Sequence, residues 1–143
     1  MRKEEEYAKA LSVLHKYWIW SNMMKVKFVE QLTQTQKVEN MQNFHLSEIG
    51  VYMMYWYSSL YAVVEGYKDF KMKNLEIDNL LNEHEKLELL RRFRNGAFHV
   101  QKEYISEKYL DFIAAKNSAE WVSKVSEAIG RYLIDELRKL KSE

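Results

Sequence analysis

The sequence predicts an all-α protein, a single-domain bundle of four to five up-and-down helices, on three observations. Its 143 residues include no proline and only four glycines, whereas a turn-rich β fold draws on both. Apolar residues recur at steps of three and four along several stretches, the period of an amphipathic helix. Ser47, Asp78, Ser106 and Ser118 stand just ahead of helical stretches, where N-caps belong. A chain of this length buries about two-thirds of its unfolded surface, enough for one core.

The first helix is expected from about Lys3 to Leu32, carried by Tyr7, Leu11, Leu14, Trp18, Met24, Phe28 and Leu32. The "YWIW" cluster at Tyr17–Trp20 is apolar all round for one turn, so this helix should meet neighbours on two sides there. Thr33–His45 is polar and reads as a connection. Ser47 then caps a second helix, with Glu48 in its first turn, running to about Tyr67. Lys68–Asp78 lacks a clear period. Asp78 is the expected cap of a third helix bearing Leu80, Leu81, Leu87, Leu90 and Phe93 and closing at Gly96, where a C-terminal glycine cap would stand. Ser106 caps a short helix through Ile113. Ser118 caps the last, from Ala119 to about Leu140, with Trp121, Val125, Ile129, Leu133 and Leu137 four apart.

Composition narrows the function classes. Hydrophobic residues at 47% and charged residues at 30% place the chain among soluble globular proteins. With no cysteine, disulfides, thiolate metal sites and cysteine catalysis are excluded, and a cytoplasmic setting is expected. The start, "MRKEEEYAKA", has no apolar core and does not read as a secretory signal. The longest apolar stretch, Val51–Val64, has 14 residues, short of the roughly 20 a membrane helix needs, so no membrane partner is expected. A net charge of +1 supplies no global field for nucleic acid, and any RNA contact must use a local patch. No cofactor or metal is expected: His84 and Glu88 have i, i+4 spacing, but a single such pair is a poor ligand set.

The stretch that carries chemistry is "LRRFRNGAFHV", Leu90–Val100. In one continuous helix Arg94 and His99 would point about 140° apart. A bend at Gly96 would let the chain fold back, drop Phe98 into the core as an anchor and bring His99 beside Arg94. A guanidinium stays protonated and binds phosphate or carboxylate two-pronged. An imidazole titrates near neutrality and moves protons. Asn95 can orient either. Such a trio suffices in principle for metal-free RNA cleavage with the 2′-hydroxyl as nucleophile, which DNA lacks. The plainer alternative is an arginine capping the last carbonyls of a helix and a packed or surface histidine.

The segment "RNGAFH", Arg94–His99, resembles the Arg-x4-His motif of the HEPN superfamily (higher eukaryotes and prokaryotes nucleotide-binding), in which a polar residue follows the arginine. A small, proline-poor helical bundle with the motif after its third helix extends the likeness over most of the chain. The resemblance implies a homodimer in which two motifs meet across a cleft as one composite ribonuclease site. Arg94 and His99 would be catalytic and Asn95 their polar companion. It also implies relatives that serve as toxins or phage-defence components, hence a possible cognate antitoxin, and others that only bind.

Other residues support the site or stand apart from it. Glu65, next to Gly66, either orients Arg94 or lies at the surface. Arg91, Arg92 and Lys102 flank the motif as RNA phosphate contacts or as a solvated basic end. The aromatic run Tyr52–Tyr57 reads as core or dimer seam ahead of base stacking. Two alternative functions remain at this stage: a non-catalytic interaction or nucleotide-binding module, and a small-molecule binder with a pocket between helices.

Overall fold

A computed structural model describes residues 2–34 and 41–142. Among them every regular element is helical: α1 (Lys3–Gln34), α2 (Met41–Leu46), α3 (Glu48–Asp69), α4 (Leu75–Leu81), α5 (His84–Phe98), α6 (Glu107–Ala114) and α7 (Ser118–Lys141). The all-α class is as expected. The described residues hold seven helices rather than four or five, because the short α2 is added and the expected third helix is split into α4 and α5. The polar connection at Thr33–His45 is corrected at both ends, since α1 reaches Gln34 and α2 begins at Met41; residues 35–40 lie outside the described residues.

The long helices run antiparallel. Leu14 lies against Gly66, and Ser21 Oγ donates to the Trp56 carbonyl at 3.3 Å, so α1 and α3 pass in opposite directions. The Arg94–Glu65 and Tyr55–Phe98 contacts set α5 antiparallel to α3. α7 lies along α1, held by a Trp18 Nε1 hydrogen bond to the Ser126 carbonyl at 2.9 Å and by Tyr7, whose hydroxyl donates to Glu136 at 2.5 Å. Leu60, Val63, Leu90, Phe93, Phe112, Val125, Ile129 and Leu133 are fully buried, each worth roughly 1.5–3 kcal/mol of apolar burial. Tyr57, Phe93, Phe112 and Trp121 form a chain of tilted and edge-to-face rings with centroids 5.3–6.4 Å apart. Burial pushes the Tyr57 phenol up to about 12.

Caps explain most boundaries. Ser47 Oγ accepts from Gly50 N at 3.1 Å and starts α3; Ser106 Oγ accepts from Lys108 N at 3.2 Å and starts α6. Asp78 does not cap. Asn74 takes that place, accepting from Ile77 N at 3.0 Å, and Asp78 sits inside α4 as acceptor for the Tyr67 hydroxyl at 2.8 Å. The helix breaks after Leu81: His84 N bonds the Asn82 carbonyl at 2.8 Å instead of the Leu80 carbonyl that a continuous helix would offer it, and Trp121 Nε1 reaches that Leu80 oxygen at 2.9 Å. Ser118 is likewise the first helical residue rather than the cap; Asn117, in the left-handed region at φ 62°, precedes it.

No helix among the described residues is long and apolar enough to cross a membrane. The outer face of α1 carries Ile19, Trp20, Met23 and Val26, all exposed. Only half of the "YWIW" expectation therefore holds: Trp18 faces α7 while Tyr17, Ile19 and Trp20 face outward.

Candidate functional site

Gly96 does not bend the chain. α5 runs through it to Phe98, and no glycine has a positive φ. The glycine is there for closeness. A Cβ at this position would lie 3.1 Å from Lys108 Cβ and 3.2 Å from Tyr109 Cε1, so its absence lets α6 sit directly on α5. The Tyr109 hydroxyl donates to the Gly96 carbonyl at the same contact, and burial raises that phenol above its usual range. The chain leaves the helix in extended conformation at His99, with φ −120° and ψ 126°.

Two expectations tied to the bend are thereby corrected. Phe98 is not a core anchor: it is 50% exposed and packs on the exposed Tyr55, ring centroids 5.8 Å apart. His99 does not lie against Arg94, and no hydrogen bond joins them among the described residues. Helix continues past Arg94 for four more residues, and a helical path carries successive side chains around the axis instead of back onto one another.

Arg94 is held on three sides. Its Nη1 donates to Glu65 Oε1 at 2.6 Å, its Nε donates to Asn95 Oδ1 at 3.2 Å, and its guanidinium carbon stands 4.8 Å from the centre of the Tyr61 ring. Glu65 thus takes the orienting place of its two expected ones. Tyr61 was not foreseen, although it sits one turn before Glu65 on the same face of α3. Its phenol is raised, first by burial and then by the Glu65 carboxylate, so it remains a neutral platform for the cation. Among the described residues nothing bonds to Nη2, and that edge of the guanidinium is free for an incoming anion. The Arg94 side chain is 26% exposed.

His99 is exposed and lines a shallow depression with Val100, Gln101, Glu103, Tyr104 and Tyr109. Its carbonyl accepts from Gln101 Nε2 at 2.6 Å, and its ring has no bonded partner among the described residues. Arg94 does not line that depression. Among the described residues, no hydrogen bond and no shared cavity joins the cation and the imidazole of one protomer.

The flanking cations differ from one another. Arg91 forks onto Glu88, which lowers the Glu88 carboxyl and raises the guanidinium. Arg92 Nη1 donates to Asp111 at 2.9 Å, tying α5 to α6. Lys102 is exposed, with no ion pair among the described residues. Glu88 is thus committed to Arg91 rather than to His84, and no group of three metal-ligating side chains occurs among the described residues. In the aromatic run, Met53, Trp56 and Tyr57 are core, while Tyr55 stays exposed beside Phe98. No protein-family model matches this chain, and neither a curated protein nor a solved structure matches it significantly.

Proposed function

We propose that this chain is a HEPN-like, metal-independent endoribonuclease that works as a homodimer. The observation that carries the reading is Arg94, pinned by Glu65, Asn95 and Tyr61, with Nη2 unbonded among the described residues and the side chain 26% exposed. A pre-oriented cation costs little reorganisation when charge develops on a phosphate. The exposed His99 imidazole supplies proton transfer. Because the two do not share a cleft in one protomer, the reading requires a two-fold assembly that sets Arg94 of one copy near His99 of the other. The exposed apolar patch of Val51, Tyr55 and Phe98, next to the motif, gives such an assembly a surface to bury.

In the proposed reaction one His99 takes the proton of the 2′-hydroxyl, and the 2′-oxygen attacks the adjacent phosphorus. The bond to the 5′-oxygen breaks, and that oxygen takes a proton from the second His99. The products are a 2′,3′-cyclic phosphate and a 5′-hydroxyl end. Arg94 binds the phosphate and stabilises its added charge, while Asn95 and Glu65 hold the guanidinium in place. A role as toxin or phage-defence component, with a cognate antitoxin, is the setting that the motif resemblance suggests for this activity.

A second reading has its own support in the Glu65 contact. Arg94 paired to a carboxylate also serves as a stitch between α3 and α5, as expected of a non-catalytic interaction module. Purified protein and labelled single-stranded RNA separate the two. The nuclease reading expects cleavage in excess chelator that falls at least 100-fold in both Arg94→Ala and His99→Ala, in line with removal of one charge-stabilising or proton-transferring group, with helicity unchanged. Cleavage of equal rate in wild type and both variants contradicts it. The stitch reading expects no cleavage and a stability loss of about 0–1 kcal/mol in Arg94→Ala, the scale of a partly exposed ion pair.

A further inference from the structure

At the far end of the α3–α5 seam from the motif, an open cleft is lined by Tyr67, Lys68, Lys71, Lys73, Asn82 and His84, among others. Three of the residues lining it are lysines. Lys25, Lys27, Lys86, Lys124 and Lys139 each pair with a glutamate. Lys68, Lys71 and Lys73 have no ion pair among the described residues, although they converge on one cleft. The acid that also lines it, Asp78, is turned to the Tyr67 hydroxyl.

Lys71 stands in an unusual conformation. Met72 N donates to the Tyr67 carbonyl at 3.1 Å and Lys71 N to the Lys68 carbonyl at 2.9 Å, the paired bonds that close a helix with a left-handed residue, a place normally held by glycine. Lys71 occupies it at φ 55°, at a cost of about 1 kcal/mol. A lysine kept where glycine would be more stable invites a functional account.

The cleft and the candidate site share the helices α3 and α5. Tyr61, Glu65 and Lys68 fall on one face of α3 at steps of four and three, and Arg91 lies one turn before Arg94 on α5. His84 is ten residues before Arg94 on the same helix, about 15 Å along its axis. Lys68 thus shares one face of α3 with Tyr61 and Glu65, the two residues of that helix that hold Arg94, and lines the cleft with Lys71 and Lys73. We infer that the Lys68–Lys71–Lys73 cleft is a phosphate subsite that holds the backbone of single-stranded RNA a few nucleotides from the phosphate at Arg94. This rests on the nuclease reading for its substrate and on the lysine geometry for its location.

The test measures binding of a labelled single strand carrying 2′-O-methyl groups throughout, which has no nucleophile and cannot be cut, by full-length protein over a range of salt. Lys68→Ala, Lys71→Gly and Lys73→Ala combined should weaken binding at least tenfold at low salt. They should also reduce the slope of log affinity against log salt by about 2, three contacts at roughly 0.7 each. Lys71→Gly alone should bind more weakly yet melt at a higher temperature, which separates lost binding from lost fold. Unchanged affinity and slope in the triple variant overturn the subsite, as does a wild type that binds inorganic tripolyphosphate but no RNA. The two readings fail separately. Lysine-dependent binding by a wild type that cuts no RNA removes the nuclease and leaves the subsite. Cleavage that the lysine variants retain in full removes the subsite and leaves the nuclease.

Discussion

Gly96 shows how a single residue can be noticed in a sequence for the wrong reason. Its place beside Arg94 and before His99 suggested a left-handed turn, because glycine is the residue that tolerates one. Glycine is also the residue that tolerates a neighbouring helix at contact distance, and sequence does not distinguish the two uses. Here Lys108 and Tyr109 occupy the space a methyl group would need. Gly96→Ala gains about 1 kcal/mol of helix propensity and loses about 1–3 kcal/mol to overpacking. Lys108 Cβ is fixed to its backbone, and the Tyr109 ring is tethered by its hydroxyl. The expected outcome is therefore a net loss of about 1 kcal/mol, read by denaturant unfolding; a stabilised variant would show that α6 yields freely. Arg94 and Glu65 were legible as candidates from residue type and position. Tyr61 under the guanidinium was not, since an aromatic at helical spacing signals core equally well.

The long helices were legible from period and caps: α1, α3 and α7 begin and end close to their expected bounds, and Ser47 and Ser106 cap as expected. What escaped was decided by partners distant in sequence. At the break between α4 and α5 the Trp121 indole reaches the Leu80 carbonyl, a contact across 41 residues. Asp78 was drawn from capping to the Tyr67 hydroxyl. The packing of α7 on α1 depends on a second close approach. A Cβ on Gly130 would fall 2.3 Å from Trp18 Cζ2, and that ring is held by its bond to Ser126. Gly130→Ala should destabilise the protein by about 2–3 kcal/mol, the upper range of overpacking, and Trp18→Phe should recover part of the loss in a double-mutant cycle. Additive effects of the two substitutions would show that the contact is not the cause.

The proposed assembly makes a demand on the molecule's surface. Among the exposed apolar surfaces are the outer face of α1 and the Val51–Tyr55–Phe98 patch, and Phe98 of the second belongs to the motif segment itself. A composite site therefore expects Phe98→Glu to convert a dimer to monomer in sedimentation and to lower RNA cleavage in parallel, while Met23→Glu on α1 leaves both intact. The reverse pattern would place the two motifs on remote faces and remove the shared cleft. From composition and period the chain was readable as all-α; the relation of Arg94 to His99 was not, because it depends on where α5 stops.

The central claim is tested most directly by the ends of the RNA it leaves. Wild-type protein is incubated with a defined single-stranded RNA in chelator, and the fragments are resolved by mass spectrometry. The nuclease reading predicts 2′,3′-cyclic phosphate and 5′-hydroxyl ends, produced by wild type and absent with His99→Ala. Intact RNA, or the same fragments from the histidine variant, would contradict it.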